Sequence, residues 1–147
     1  MEQENLVEVL LVEDSEDDSE FTEFAVLQAA NSINFRHFTD GVEAMNFLFS
    51  KKEYGGFKTQ IRLKFVILDL DLPTISGLDL LKKIRGNEET KKLPVIILSD
   101  SRDKRHINSA YELGANSYII KPSTYNSYID KIKSLAFYWN CVNENLV

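Results

Sequence analysis

The sequence lacks the features that mark secreted and membrane-spanning proteins. It contains one cysteine, Cys141, which cannot form a disulfide within the chain, so nothing indicates a disulfide-stabilised secreted domain. Its longest apolar runs are about four residues long. A membrane-spanning helix needs ~20 apolar residues, and the apolar region of a signal peptide needs ~7–15. We therefore expect a cytoplasmic protein that makes no contact with a membrane.

Basic residues are also in deficit, with 17 Lys and Arg against 23 Asp and Glu and a formal net charge of −6. An acidic surface repels phosphate backbones, so we expect no nucleic-acid partner. Because 44% of the residues are hydrophobic, the composition is that of a globular chain and not of a disordered one. The length predicts a single domain over residues 1–147, with its core at about 6–143.

Short runs rich in Val, Ile and Leu alternate with longer amphipathic stretches. Three runs are continuously apolar, which is typical of strands buried on both faces. Capping signals such as Ser15 and Ser76, each with an Asp three residues later, predict helix starts, and Gly114 predicts the end of the fourth helix. The alternation predicts an α/β fold: a doubly wound, five-stranded parallel sheet with five helices on its two faces. The predicted strands are Val7–Val12, Phe35–Phe38, Phe65–Asp69, Val95–Ser99 and Ser117–Lys121.

Helical periodicity predicts which residues the helices bury. The first helix is predicted to bury Phe24 and Ala25, and the fifth, which begins near Thr124, a stripe that runs from Tyr125 to Trp139. The stretch Lys51–Lys64 fits neither pattern, so it is predicted to be a long connection between the second helix and the third strand.

Polar residues of complementary chemistry lie at the carboxyl ends of four predicted strands. In open α/β sheets, ligands bind beyond the carboxyl ends of the strands, so residues at these ends are expected to converge. Carboxylates that lie close together favour a divalent cation with oxygen ligands. A carboxylate is also able to attack a phosphoryl group, with a metal ion, a lysine and a hydroxyl neutralising the phosphoryl oxygens. The residues at these positions are Glu13, Asp14, Asp69, Ser99 and Lys121.

Four segments together resemble the receiver domains of bacterial two-component response regulators. The similarity extends over about residues 6–140. It implies a flavodoxin-like, three-layer fold with strand order 2-1-3-4-5. Because the fifth helix is predicted to extend to about residue 143 of 147, we expect no output domain, so that the output is a protein target. The matching segments are Val9–Asp14, Val66–Pro73 with Gly77, Pro94–Ser99 and Gly114–Pro122.

The resemblance also implies a role for each site residue. Asp69 would accept a phosphoryl group from a histidine kinase or a phosphotransfer protein. Mg²⁺, with Mn²⁺ as an alternative, would be held by the side chains of Asp14 and Asp69, the backbone carbonyl of Asp71 and, through water, Glu13. The remaining implied features are phosphoryl contacts from Ser99 and Lys121, an aromatic switch at Tyr118 that acts with Ser99, and a cis peptide bond before Pro122.

Several features depart from the common receiver pattern. Asp71 and Asp100 place additional negative charge near the expected phosphoryl position, and we predict that they either alter the lifetime of the acyl phosphate or widen metal binding. The long Lys51–Lys64 segment and the aromatic run Phe137–Trp139 resemble the stand-alone regulators that partner phytochrome-type kinases. The aromatic run predicts either a buried Trp139 beside two partly exposed rings, or a surface for a homodimer or another partner.

Two other functions remain open at the level of the sequence. Asp69 and Asp71 resemble the Asp-x-Asp motif of haloacid-dehalogenase-type phosphatases, although in those enzymes the motif follows the first strand. A receiver fold that is never phosphorylated and acts as an adaptor is the other alternative. The favoured hypothesis is a phosphoacceptor switch that is not an enzyme and that signals by binding other proteins.

Overall fold

The computed structural model describes residues 6–30, 32–49 and 60–145. Within them, five parallel strands form one sheet in the order β2-β1-β3-β4-β5, which confirms the predicted fold class and strand order. Continuous apolar runs form the three central strands because helices cover both of their faces. The strands are β1 (Leu6–Val12), β2 (Phe35–Phe38), β3 (Gln60–Leu68), β4 (Val95–Ser99) and β5 (Ser117–Ile120).

The helices begin where the capping signals predict them. The Ser15 and Ser76 hydroxyls accept hydrogen bonds from the backbone N–H groups of Asp18 and Asp79, and Thr124 accepts one from Ser127. Gly114 has a φ of 102°, so it lies in the left-handed region where the chain leaves the fourth helix. The helices are α1 (Glu16–Ala29), α2 (Gly41–Phe49), α3 (Gly77–Arg85), α4 (Lys104–Glu112) and α5 (Tyr125–Phe137), which continues as a π-helical turn (Tyr138–Val142).

The core consists of two apolar clusters, one on each face of the sheet. Leu10 points to the face covered by α2, α3 and α4, whereas Leu11 points to the face covered by α1 and α5. This alternation follows from the period of two along a strand, and it buries the apolar runs Val9–Val12, Phe65–Leu68 and Val95–Leu98. Among the described residues, no helix has both the length and the apolar character of a membrane span.

The third strand is longer than predicted, because it begins at Gln60 inside the stretch that was interpreted as a connection. This early part of β3 pairs with the start of β1, and a register shift lies between Val7 and Val9. Lys64 suits this position because its ammonium contacts the carboxylate of Glu8 at 3.3 Å and the side-chain oxygen of Asn140 at 2.9 Å. The part of the Lys51–Lys64 prediction that covers residues 51–59 lies outside the described residues.

Three other predictions are corrected by the structure. The Lys121–Pro122 peptide bond is trans, as are the other bonds among the described residues. Trans is also the intrinsically favoured form of an X–Pro bond, by about 0.5–1 kcal/mol. Phe24 and Tyr125 were predicted to be buried but are 48% and 52% exposed. Phe24 lies on the exposed face of α1, beside the exposed Glu20 and Leu27, and Tyr125 is the first residue of α5. Trp139 packs against the α1–α5 cluster but is only partly buried, whereas one of the two interpretations predicted a buried residue.

Candidate functional site

Strand pairing brings the predicted site residues to one edge of the sheet. Val12 and Leu68 are partners in the β1–β3 ladder, so the residues that follow them, Glu13 and Asp69, lie side by side. The backbone N–H of Asp69 donates to the carbonyl of Val12 at 3.0 Å. At the next pair of strands, the N–H of Lys121 donates to the carbonyl of Ser99 at 2.8 Å. Backbone hydrogen bonds between neighbouring strands therefore fix the positions of the four strand ends without any side-chain contact.

The ammonium of Lys121 is the centre of the site. Its Nζ donates to Glu13 Oε1, to Asp18 Oδ2 at 2.8 Å and to Asp69 Oδ2 at 3.3 Å. Burial by itself lowers the pKa of Lys121, but the hydrogen bonds to Asp18 and Glu13 and the charge of Asp69 raise it above its ordinary value. Lys121 therefore stays cationic although its side chain is almost fully buried.

Three carboxylates form an acidic cluster beside this lysine. One oxygen from each of Glu13, Asp14 and Asp69 lies within 4.8 Å of the other two. Glu13 and Asp69 are buried, whereas Asp14 is exposed. Burial, together with the neighbouring carboxylate of Asp69, raises the pKa of Glu13 to about 9. Ionisation of Glu13 beside Asp69 is therefore disfavoured, and Asp14 gives the cluster access to solvent.

The donor set fits a divalent metal ion. Glu13 Oε2 is buried and has no hydrogen-bond partner among the described residues, although a buried polar atom normally has one. Carboxylate oxygens without nitrogen or sulfur ligands suit a hard cation such as Mg²⁺ or Mn²⁺. The orphaned oxygen of Glu13 and the three converging carboxylates therefore fit a cation that is bound by oxygen atoms.

The loop after β3 is held against Asp69 by close backbone packing. The N–H of Asp71 donates to Asp69 Oδ1 at 3.2 Å, while the Asp71 side chain is exposed. At Gly77, a Cβ atom would lie 2.1 Å from the carbonyl oxygen of Asp69, so α3 can start here only with glycine. The N–H of Gly77 also donates to the carbonyl of Leu70 at 2.9 Å. This packing fixes the backbone that carries Asp69.

Ser99 and Tyr118 lie on the other side of the site. Ser99 is fully buried, and its Oγ accepts a hydrogen bond from the N–H of Ser101 at 3.1 Å. The hydroxyl of Tyr118 donates to the carbonyl of Ser101 at 2.8 Å, so both residues contact the loop after β4. Asp100, the other acidic departure from the receiver pattern, is exposed in this loop.

Two contacts of the site were not predicted from the sequence. Asp18, interpreted only as part of a helix start, contacts Lys121, and His37 on β2 donates from Nε2 to the carbonyl of Glu13 at 2.7 Å. Asp18 could have been identified from its position four residues after Asp14, on the first turn of the helix that leaves the strand end. His37 had no such signal, because its contact depends on the pairing of β1 with β2.

The family-model comparison agrees with this geometry. The model described as response regulator receiver domain matches residues 9–133, so the chain belongs to the receiver domain family of response regulators. Among curated proteins, Response regulator Rcp1 from Synechocystis sp. is 28% identical over 131 residues, which are 89% of this chain and 87% of that protein.

Solved structures extend the similarity to nearly the whole chain. The Mn²⁺-bound form of Rcp1 has a TM-score of 0.84 at 27% identity and covers 97% of this chain and 99% of its own. The phosphorylated cyanobacterial phytochrome response regulator RcpA has a TM-score of 0.87 at 26% identity and covers 96% and 99%. The fold and the family predicted from the sequence are thereby confirmed, and the chain is a receiver domain of two-component signalling similar to phytochrome response regulators.

Proposed function

We propose that this receiver domain is a switch in which Asp69 accepts a phosphoryl group. The observation that carries the proposal is the arrangement around Asp69: a buried carboxylate that contacts the Lys121 ammonium and lies within the acidic cluster. A nucleophilic carboxylate needs neighbouring positive charge to hold an incoming phosphoryl group, and this site supplies it. The similarity to the phosphorylated RcpA structure supports the same conclusion.

The transfer forms one bond and breaks one. With acetyl phosphate as donor, an oxygen of the Asp69 carboxylate bonds to phosphorus, the bond between phosphorus and the acetyl oxygen breaks, and acetate leaves. No proton is required, because the carboxylate attacks as an anion and acetate departs as one. The buried ammonium of Lys121 and the hydroxyl of Ser99 then contact the phosphoryl oxygens. Tyr118, which contacts the loop after Ser99, reports the change to the β4–β5 surface.

The metal ion of this site is Mg²⁺ in our proposal, with Mn²⁺ as an alternative. The side chains of Asp14 and Asp69 and the backbone carbonyl of Asp71 would hold it, and Glu13 would contact it through water. When bound, the ion supplies positive charge that neutralises the phosphoryl oxygens. The converging carboxylates and the similarity to Mn²⁺-bound Rcp1 support the assignment.

The partners follow from this role. A histidine kinase or a phosphotransfer protein supplies the phosphoryl group, and a protein target that recognises the phosphorylated form receives the signal. We propose that the chain acts in the cytoplasm and turns over no substrate other than its own phosphoryl group. The exposed Phe137 and Tyr138 remain candidates for a homodimer or partner surface, since both rings are about half exposed.

Intact-mass spectrometry tests the proposal. The full chain is incubated with acetyl phosphate and Mg²⁺, and one added phosphoryl group is expected. Asp69→Asn should show no adduct, while Asp79→Asn, an exposed aspartate on α3, should be phosphorylated like the unchanged protein. A folded protein that gains no phosphoryl group would rule out the switch. Turnover of a chromogenic phosphate ester would favour the phosphatase alternative instead.

A further inference from the structure

The three N–H donors of Lys121 are all engaged. A lysine ammonium has three donors and no acceptor. Here they are directed at Glu13, Asp18 and Asp69, each on a different element: the end of β1, the first turn of α1 and the end of β3. The donor directed at Asp69 is able to pass to the phosphoryl group that Asp69 carries, but a second donor from Lys121 requires displacement of Glu13 or Asp18. The identity of the displaced carboxylate decides the cost of the exchange.

The three carboxylates differ strongly in their access to water. The side chain of Glu13 is 1% exposed and that of Asp69 is 8% exposed, whereas that of Asp18 is 27% exposed. A carboxylate that loses its ion-pair partner has to be solvated again, and one that stays buried and unpaired is strongly destabilising. Asp18 is able to recover water where Glu13 is not. Asp69 is the group that carries the phosphoryl, so it stays in the site.

We propose that Asp18 is a positioning residue that holds the Lys121 ammonium in the unphosphorylated protein and gives up that contact to the phosphoryl group on Asp69. This inference rests on the proposed function. The Asp18 carboxylate accepts a hydrogen bond from Lys121 Nζ, and a phosphoryl oxygen on Asp69 needs the same N–H donor. Asp18 therefore competes with the transfer. It slows phosphorylation and is the carboxylate that the transfer releases to solvent.

The packing of α1 against α5 explains why Asp18 is able to reach the lysine. The hydroxyls of Thr22 on α1 and Tyr128 on α5 lie 2.9 Å apart, and that of Tyr128 also donates to the backbone carbonyl of Asp18 at 3.4 Å. The backbone of Asp18 is held further by its N–H, which donates to Ser15 Oγ at 3.2 Å. These contacts do not involve the Asp18 side chain, so changing its carboxylate leaves them in place.

The test is the rate at which acetyl phosphate phosphorylates the full chain in the presence of Mg²⁺. In Asp18→Asn, one donor of Lys121 is held by a neutral amide oxygen, so phosphorylation should be about three- to tenfold faster, as expected for loss of a partly exposed ion pair. The matched control is Asp17→Asn, which removes the same charge from the same helix turn at an exposed position. Its rate should stay within about twofold of the unchanged protein, the usual effect of an exposed charge.

Two further readouts separate positioning from a structural role. Asp18→Glu restores a carboxylate and should return the rate towards that of the unchanged protein. The affinity for Mn²⁺, measured by electron paramagnetic resonance, should differ by less than about twofold between Asp18→Asn and Asp17→Asn, because neither residue belongs to the acidic cluster. If Asp18→Asn does not fold, Asp18→Ser provides the same test with a smaller side chain.

The outcomes also separate this inference from the proposed function. If the unchanged protein gains no phosphoryl group, the proposed function fails and the inference fails with it. If the unchanged protein is phosphorylated but Asp18→Asn reacts no faster than Asp17→Asn, the proposed function stands and the role of Asp18 is wrong.

Discussion

The two sides of the site differ in how they are held. The acidic side, formed by Glu13, Asp14 and Asp69, follows two neighbouring central strands, and its backbone is fixed by ladder hydrogen bonds and by Gly77. The switch side, formed by Ser99 and Tyr118, lies where the fully buried β4 meets β5, an edge strand that is only half-buried. In the proposed switch, the chemistry would therefore lie on buried central strands and the response would involve a half-buried edge strand.

The largest expected effect comes from breaking the rigid packing behind the acidic side. Gly77→Ala places a Cβ atom 2.1 Å from the carbonyl oxygen of Asp69 and 2.7 Å from the Cα of Leu70. Backbone has to shift, so we expect the free energy of unfolding to fall by about 3 kcal/mol, the upper end of the usual cost of overpacking. Urea denaturation measures this change.

Gly86→Ala is the matched control for this prediction. Gly86 has a φ of −84°, and an added Cβ atom would lie 3.3 Å from the Lys82 carbonyl oxygen, so alanine fits with a small adjustment. We expect a change within about 1 kcal/mol, because alanine also restricts the unfolded chain. If the two variants are equally stable, the close packing at Gly77 does not hold the acidic side.

The second prediction concerns the metal ion itself. Asp14→Asn removes one carboxylate of the acidic cluster, and the affinity for Mn²⁺ should fall by about 10–100-fold or more, a loss that even outer-shell substitutions produce. Electron paramagnetic resonance of free Mn²⁺ reports the binding. Asp17→Asn, an exposed aspartate outside the cluster, should bind as the unchanged protein does. An unchanged affinity in Asp14→Asn would contradict the assignment of the acidic side as the metal site.

The third prediction separates the two sides by their function. Ser99→Ala removes the buried hydroxyl of the switch side, so phosphorylation by acetyl phosphate should slow about tenfold or more through loss of one donor to the phosphoryl oxygens. The affinity for Mn²⁺ should be unchanged, because Ser99 is not in the acidic cluster. Ser123→Ala, at an exposed position after Pro122, is the control. Equal losses of metal affinity and rate in Ser99→Ala would show that the sides do not act separately.

The smallest effect is expected beneath the acidic side, where Tyr128 joins α5 to α1. Burial raises the pKa of Tyr128 above its ordinary value. Because the pKa of Tyr128 is higher in the folded protein than in the unfolded chain, protonated Tyr128 contributes to the free energy of unfolding. This contribution is complete below pH ~10 and is lost as the pH rises through the folded-state pKa. Tyr128→Phe should lower the free energy of unfolding by about 0.5–1.5 kcal/mol at neutral pH, because the hydrogen bond to Thr22 is lost. The decline of this free energy above pH ~10 should also become smaller.

Chemical denaturation across pH 7–11 tests this last prediction. Tyr125→Phe is the control, because Tyr125 is half exposed and no hydrogen bond of its hydroxyl is described. The pH dependence of that variant should match the unchanged protein. The same decline in Tyr128→Phe as in Tyr125→Phe would exclude Tyr128 as its source.

Most of the fold was predictable because its signals are local. Continuous apolar runs and capping residues depend on neighbours in the chain, so strands such as Val95–Ser99 and helix starts such as Ser15 agree with the structure. The exceptions lie where local patterns end. Phe24 lies on the exposed face of α1, and Tyr125 has the right spacing for burial but is the first residue of α5. The polar start of β3 is a strand because β1 pairs with it.

The sequence determined the residue types of the site and their places at the ends of β1, β3, β4 and β5. These places converge because the carboxyl ends of the strands in a parallel sheet share one edge. The tertiary structure decided which groups touch. Asp18 and Lys121 are 103 residues apart in the chain, and they meet because α1 packs against α5 beside the end of β5. Burial and ion pairing depend on such distances and on the exclusion of water. The burial of Glu13, the partial exposure of Asp18 and the engagement of Lys121 therefore followed from packing and not from spacing in the chain.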